Sequence, residues 1–165
     1  MNRILKIHPP ILYSLVDKGG KIKLITTNIT GDPLYSHLKG KTPRGWEGTN
    51  LTWDDIPGIG GQTVLVRIGY SNSGKGHSSH NLELHETAHA IDSYVFDDIS
   101  QSYEFIKIKE KEKKNLFGDN TYFDYNEEYF AEIFTMYYLN ESTYKQLKEN
   151  APESFQFIKS LPNRI

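Results

Sequence analysis

The sequence predicts an α+β fold in one domain over residues 1–165, and three observations carry that prediction. Strand-like patterns fall before residue 70 and helical patterns after residue 80, so the elements are segregated rather than alternating. The length of 165 residues suits a single hydrophobic core. The two halves meet at a helical stretch, residues 81–96, that carries two histidines and two glutamates. We therefore expect a small twisted sheet with helices in an N-terminal lobe, about residues 1–80. A mainly helical C-terminal lobe, about residues 81–165, follows it, with the His/Glu helix lining a cleft between them.

Residues 9–18 open with Pro9-Pro10 and are followed by Gly19-Gly20, the proline-first, glycine-last asymmetry of a helix. Residues 21–26 alternate lysine with isoleucine or leucine and read as a half-buried strand. Asp32-Pro33 opens a short helical turn that ends near Gly40. Residues 40–62 show no periodicity and hold six glycines, two prolines and both tryptophans, Trp46 and Trp53. A structureless run of that length inside a domain is usually functional or disordered, and the tryptophans argue against disorder. They either pin the loop to the core or line a substrate groove. Residues 63–70 are β-branched and apolar, a second strand. Residues 71–80 are a polar loop. Helices are predicted over 81–96 with Asn81 as N-cap, over 100–114, 126–139, 143–150 and 152–161. The charge run from Lys107 to Lys114 reads as a solvated helix face.

Composition excludes several function classes. The net charge is −2 with mixed signs, which leaves no electrostatic footprint for nucleic acid. There is no run of eighteen apolar residues, so no membrane-inserted helix is expected. Zero cysteines exclude disulfides and thiolate metal sites. Residues 1–6 lack the apolar core of a signal peptide. A monomer is expected. Gly69-x-x-x-x-Gly74-Lys75 resembles a phosphate loop, but Gly76 stands where magnesium needs a hydroxyl, so the match is weak.

The chemistry concentrates in His-Glu-Thr-Ala-His, residues 85–89. On a helix each residue advances about 100°, so positions four apart share a face. His85 and His89 can thus hold one metal ion, with Glu86 beside them as a general base. This is the zincin pattern of two imidazoles and a carboxylate. A catalytic zinc takes a third protein ligand and keeps one position for water. The extended motif that supplies a third histidine is excluded, because Asp92 and Val95 occupy its places. The helix at 126–139 is apolar almost all round and should be buried. Its carboxylates then need partners. Glu128 and Glu132 lie four apart on one face. We assign Glu128 as the ligand and Glu132 as an acceptor for an imidazole N–H. Glu127 is the rival ligand. Asp92 is expected to support the site or the helix rather than bind metal.

These stretches together resemble the anthrax lethal factor-like metalloproteases, and among them the secreted Pro-Pro endopeptidases of Gram-positive bacteria. The resemblance rests on His-Glu-Thr-Ala-His-Ala-Ile-Asp (85–92) and Glu-Tyr-Phe-Ala-Glu (128–132). Lys-Thr-Pro-Arg-Gly-Trp (41–46), Trp-Asp-Asp-Ile-Pro-Gly (53–58), Gly-Gly-Gln-Thr (60–63) and Arg-Ile-Gly (67–69) add to it, as does the tail at 151–155. It implies one Zn²⁺ ion on His85, His89 and Glu128, with Glu86 as catalytic acid/base. It implies cleavage between two prolines in a proline-rich peptide or protein, and secretion from the cell. It matches a cleft tryptophan to Trp46 and a substrate-covering loop to Gly60 and Gly61. The family's oxyanion-stabilising tyrosine usually lies seven residues before the glutamate ligand, but here position 121 is threonine. Tyr122 takes the role if one residue is deleted, and Tyr125 is the fallback. The competing readings are a lethal factor-like protease with another cleavage preference, a peptide-binding module on the same fold, and a structural metal site with four protein ligands.

Overall fold

The computed structural model describes residues 2–165. Among these residues three strands and six α-helices run in the order α1 (Pro9–Asp17), β1 (Lys21–Ile25), β2 (Gly58–Ile59), β3 (Thr63–Arg67), α2 (Leu82–Ala90), α3 (Tyr103–Phe117), α4 (Asn126–Leu139), α5 (Glu141–Asn150) and α6 (Pro152–Ser160). The fold is α+β. The sheet order is β1-β3-β2. β1 pairs with β3 in parallel, Lys21 opposite Thr63 through Ile25 opposite Arg67. β2 pairs with β3 antiparallel. β2 falls inside the stretch that sequence alone reads as structureless. Two residues are too short for any alternation to register.

β3 shows why the sheet has two covered faces. Its side chains alternate, so Val64 and Val66 enter the main core, which the helices dominate. Leu65 enters a smaller cluster with Ile25, Ile29 and Ile59, against which Tyr35, Leu38, Trp53 and Ile56 pack. The long loop before β2 is therefore pinned by apolar contact and not loose. Asp54 adds polar ties, accepting from the Gly40 N–H at 2.7 Å and from the Thr30 hydroxyl. The half-buried alternation expected of β1 is weak. Ile22 is partly buried but Leu24 is 44% exposed, because β1 lies at the sheet edge.

The helix expected to run to Phe96 is regular only to Ala90. It continues as a π-helical turn, Ile91–Val95. Its N-cap is as expected: Asn81 Oδ1 accepts the Leu84 N–H at 3.1 Å. α2 packs on β2 and β3 on one side and on α4 on the other. α3 begins later than predicted, at Tyr103, where the Ser102 hydroxyl accepts the Phe105 N–H at 3.2 Å. The charge run on α3 is not wholly solvated. Glu112 is buried and accepts the N–H groups of Glu153 and Ser154 at 3.0 and 2.8 Å. A carboxylate from α3 thus satisfies the orphan donors at the start of α6. α4 lies at the centre of the main core, buried from Tyr129 to Met136.

Candidate active site

α2 and α4 place the motif side chains against each other. His85 and His89 lie one turn apart, and their Nε2 atoms are 3.2 Å apart. Glu128, in the first turn of α4, brings Oε2 to 3.1 Å from His85 Nε2 and 3.4 Å from His89 Nε2. Three ligands on a tetrahedral zinc, each at about 2.0–2.1 Å from the ion, stand about 3.3 Å from one another. The three donors have that spacing. Among the described residues no other His, Asp or Glu side chain joins this group.

The proton inventory also fits a cation. His85 Nδ1 lies 3.0 Å from Glu132 Oε2. Glu132 can only accept, so the neutral ring carries its proton on Nδ1 and turns the Nε2 lone pair toward Glu128. Two acceptors that face each other at 3.1 Å need a positive charge between them. Burial works against ionising Glu128, yet the His85 and His89 imidazoles outweigh it and hold the carboxyl well below its usual range. Burial likewise works against charging His85, but Glu128 and Glu132 push its protonation well upward. Both shifts describe a site whose field favours a cation. The residues therefore fit the metal that the motif implies.

Glu132 is the anchor behind the metal ligands. Its Oε1 accepts the His80 N–H at 2.9 Å and lies 2.5 Å from His80 Nδ1. Burial opposes its ionisation, but His80 and His85 hold its carboxyl well below the ordinary value. Glu132 thus meets the ring nitrogens of both His85 and His80. His80 escapes sequence reasoning altogether. It lies in a polar loop, 52 residues from its partner, and no local pattern marks it.

Glu86 is buried beside the histidines. Burial raises its pKa, and the charge of Glu128 adds to that rise, while the imidazoles and the Gly60 amide counter it. Two glycines let the sheet edge come this close. A Cβ on Gly58 would lie 2.8 Å from Glu86 Oε1, and one on Gly60 would lie 2.5 Å from His89 Cβ. Any side chain at either position would push the strand off the helix. Gly60 and Gly61 thus sit in the turn between β2 and β3, with Gly60 against the metal-binding helix.

The remaining predicted residues separate clearly. Tyr122 is partly buried and lies beside Glu128, and burial with that carboxylate keeps its phenol protonated. Tyr125 is turned away, with its ring under the Arg44 guanidinium at 4.6 Å. Glu127 lies outside the group of His85, His89 and Glu128; it pairs with Arg44 and accepts from Gln101 Nε2 at 3.3 Å. Asp92 does not reach the histidines by any hydrogen bond. It accepts the Ser100 N–H at 2.8 Å and the Ser100 hydroxyl at 2.6 Å, so it ties down the turn after the π-helical segment. Trp46 lines the same cavity as Glu86 and Tyr122. That cavity holds about 430 Å³ and is walled by Trp46, Trp53, Ile56, Ile59 and Pro43 as well as by the metal ligands. Arg44 also lines it and links the tryptophan loop to the first turn of α4 through Glu127.

The arrangement is a polar, proton-handling floor beneath an aromatic wall. The chain is also similar in sequence and fold to known proteins. Residues 1–161 match the family model "Anthrax toxin lethal factor, N- and C-terminal domain". The chain is 49% identical over 161 residues to a Pro-Pro endopeptidase of Clostridioides difficile (strain 630), covering 98% of this chain and 73% of that one. It is 48% identical over 160 residues to a Pro-Pro endopeptidase of Paenibacillus alvei, covering 96% and 74%. The solved structure of the Pro-Pro endopeptidase from Paenibacillus alvei superposes with a TM-score of 0.92 at 46% identity, covering 97% of this chain and 87% of that one.

Proposed function

Since the chain belongs to the anthrax toxin lethal factor family, we propose that it is a zinc endopeptidase that hydrolyses the bond between two prolines. The observation that carries this reading is the convergence of His85, His89 and Glu128 at 3.1–3.4 Å, with Glu86 buried beside them under a tryptophan wall. His85, His89 and Glu128 would hold one Zn²⁺ ion. When bound, zinc supplies a Lewis acid and makes its water acidic near neutral pH.

Glu86 takes the proton of the attacking water and delivers it to the leaving nitrogen. In a Pro-Pro bond that nitrogen belongs to a ring and leaves as a secondary amine. The Tyr122 hydroxyl is kept protonated, so it can donate to the oxyanion that develops on the scissile carbonyl. Glu132 holds the proton on His85 Nδ1 and so keeps Nε2 free for the metal. Proline has no N–H, so a strand-like main-chain match is penalised, and shape must carry selectivity. A proline-rich segment arrives as a preformed polyproline II helix that aromatic grooves recognise. Trp46, Trp53 and Pro43 supply such a groove.

We read residues 1–165 as one metalloprotease domain, with the sheet in an N-terminal lobe to about residue 80 and helices beyond. α2 would then be a zincin helix between the lobes. We place the enzyme outside the cell, acting as a monomer on proline-rich surface or secreted proteins. The absence of cysteine is compatible with an oxidising compartment.

A panel of fluorogenic peptides, run with and without a zinc chelator, tests the reading. We expect cleavage between prolines, loss with chelator and recovery on adding zinc. Survival of every Pro-Pro peptide while other sequences are cut would replace it with a lethal factor-like protease of another specificity.

A further inference from the structure

The turn after β2 has two sides. One faces the metal site, where Gly60 lies against His89. The other opens onto a shallow cavity of about 360 Å³ lined by Leu34, Tyr35, Gly60, Gly61, Gln62, Thr63 and Tyr94. Gly60 belongs to both cavities. The two cavities therefore adjoin at Gly60, and a peptide that passes over this turn leaves the catalytic floor for the second surface.

Its chemistry is specific. None of the seven lining residues is charged. Leu34 is 57% exposed and Tyr94 37% exposed, so apolar area faces solvent there. Tyr94 comes from the π-helical turn that continues α2, the kind of helix irregularity that accompanies functional sites. The shelf is also preformed. Tyr35 donates its hydroxyl to the Thr63 carbonyl at 2.7 Å. Gly61 makes room for that contact, since a Cβ there would lie 2.5 Å from the Tyr35 oxygen. Leu34 is held through its N–H, which Asp32 Oδ1 accepts at 3.0 Å, and Asp32 is paired with Lys23. Gln62 donates to the Lys18 carbonyl at 2.9 Å. Little ordering remains to be done when a ligand arrives.

We propose that Leu34, Tyr35 and Tyr94 form an extended substrate subsite that takes an uncharged, apolar residue or proline several positions from the scissile bond. This rests on the endopeptidase reading above. The occupant is the substrate chain itself, because the shelf adjoins the catalytic cavity at Gly60. An aromatic-aliphatic surface binds a proline ring or an aliphatic side chain through apolar contact, and rejects a carboxylate that would lose water there. Because the shelf lies on one side of the metal site, only one end of the substrate reaches it.

The test uses a short Pro-Pro peptide and the same peptide extended by four residues, at its N-terminal end or its C-terminal end. Each extension is made once with apolar residues and proline and once with aspartate. We expect kcat/KM to rise about five- to tenfold for the apolar extension at one end. The aspartate version should bring no rise. In Tyr94→Ala that gain should fall below about twofold, through KM and not kcat, and Tyr94→Phe should keep it. An equal gain from aspartate, an undiminished gain in Tyr94→Ala, or no gain at either end would overturn the proposal. If the short peptide is not cut, the Pro-Pro reading fails separately. The same extensions are then made on whichever bond a peptide library shows the enzyme to cleave, and the shelf is judged by the same ratios.

Discussion

Glu132 Oε2 lies 3.0 Å from His85 Nδ1, and this contact decides what the other side of the His85 ring can do. With the proton held on Nδ1, Nε2 presents a lone pair to the metal position. Glu132 is itself kept anionic by two donors from His80. A loop histidine would therefore act on a bound metal through a glutamate and an imidazole.

Loosening that chain should weaken metal binding before it weakens the fold. Outer partners of this kind are worth about 10–100-fold in metal affinity. We expect His80→Ala and Glu132→Gln each to lower zinc affinity within that range, measured by competition with a chelating indicator. Glu132→Gln should be the milder change if its amide oxygen still accepts from His85. Unchanged zinc affinity in both variants would show that the contacts are incidental.

On the proposed reading Glu86 moves protons and does not bind the metal. Glu86→Gln should keep zinc, because His85, His89 and Glu128 are untouched, while turnover falls about 10²–10⁴-fold, the range for loss of a general base. Metal content by elemental analysis and peptide turnover, read on one preparation, check both halves. Loss of zinc together with turnover would make Glu86 a structural group.

Tyr122 tests the oxyanion assignment. Removing one donor to a developing oxyanion costs about 10²–10³ in kcat. Tyr122→Phe should show that loss with little change in KM, since the ring that helps wall the cavity remains. Tyr125→Phe should stay close to the parent, because Tyr125 meets Arg44 through its ring face. The reverse ranking would return the role to Tyr125.

Stability should decline in alkali from about pH 10, the ordinary tyrosine pKa. Burial raises Tyr138 to about 12, and the Tyr137 phenol adds to the rise. Burial also raises Tyr129, whose hydroxyl meets Ser154 at 2.8 Å. A raised folded pKa means that the unfolded chain loses its proton first. The stability carried by the neutral phenol is then full below pH 10 and is lost as pH rises toward the folded value. Urea titrations between pH 8 and 12 should show this decline, and Tyr138→Phe should make it shallower. A flat profile across that range would contradict the burial argument.

Much of the site was legible because helices repeat. His85, Glu86 and His89 lie on one turn, so their spacing alone brings them together. Glu128 and Glu132 stand out as carboxylates in a helix too apolar to be exposed. Tyr122 was reachable only through a family's spacing and one assumed deletion, and its place beside Glu128 depends on the turn that precedes α4. By local pattern Glu127 rivalled Glu128, while Asp92 was expected to support the site or the helix. What faces each comes from elsewhere in the chain, Arg44 from the tryptophan loop and Ser100 from the next turn.

The sequence by itself determined the helix that carries the motif, the buried glutamate helix and the segregation of strands from helices. Each of these follows from periodicity over a few turns of chain. Only the tertiary structure decided that His80 supports Glu132, that a two-residue strand runs along the cleft, and that Gly58 and Gly60 let it touch α2. Those relationships join residues far apart in the chain, through loops with no repeat to read. Contact across such distances is set by how the helices and sheet pack, and no local pattern encodes it.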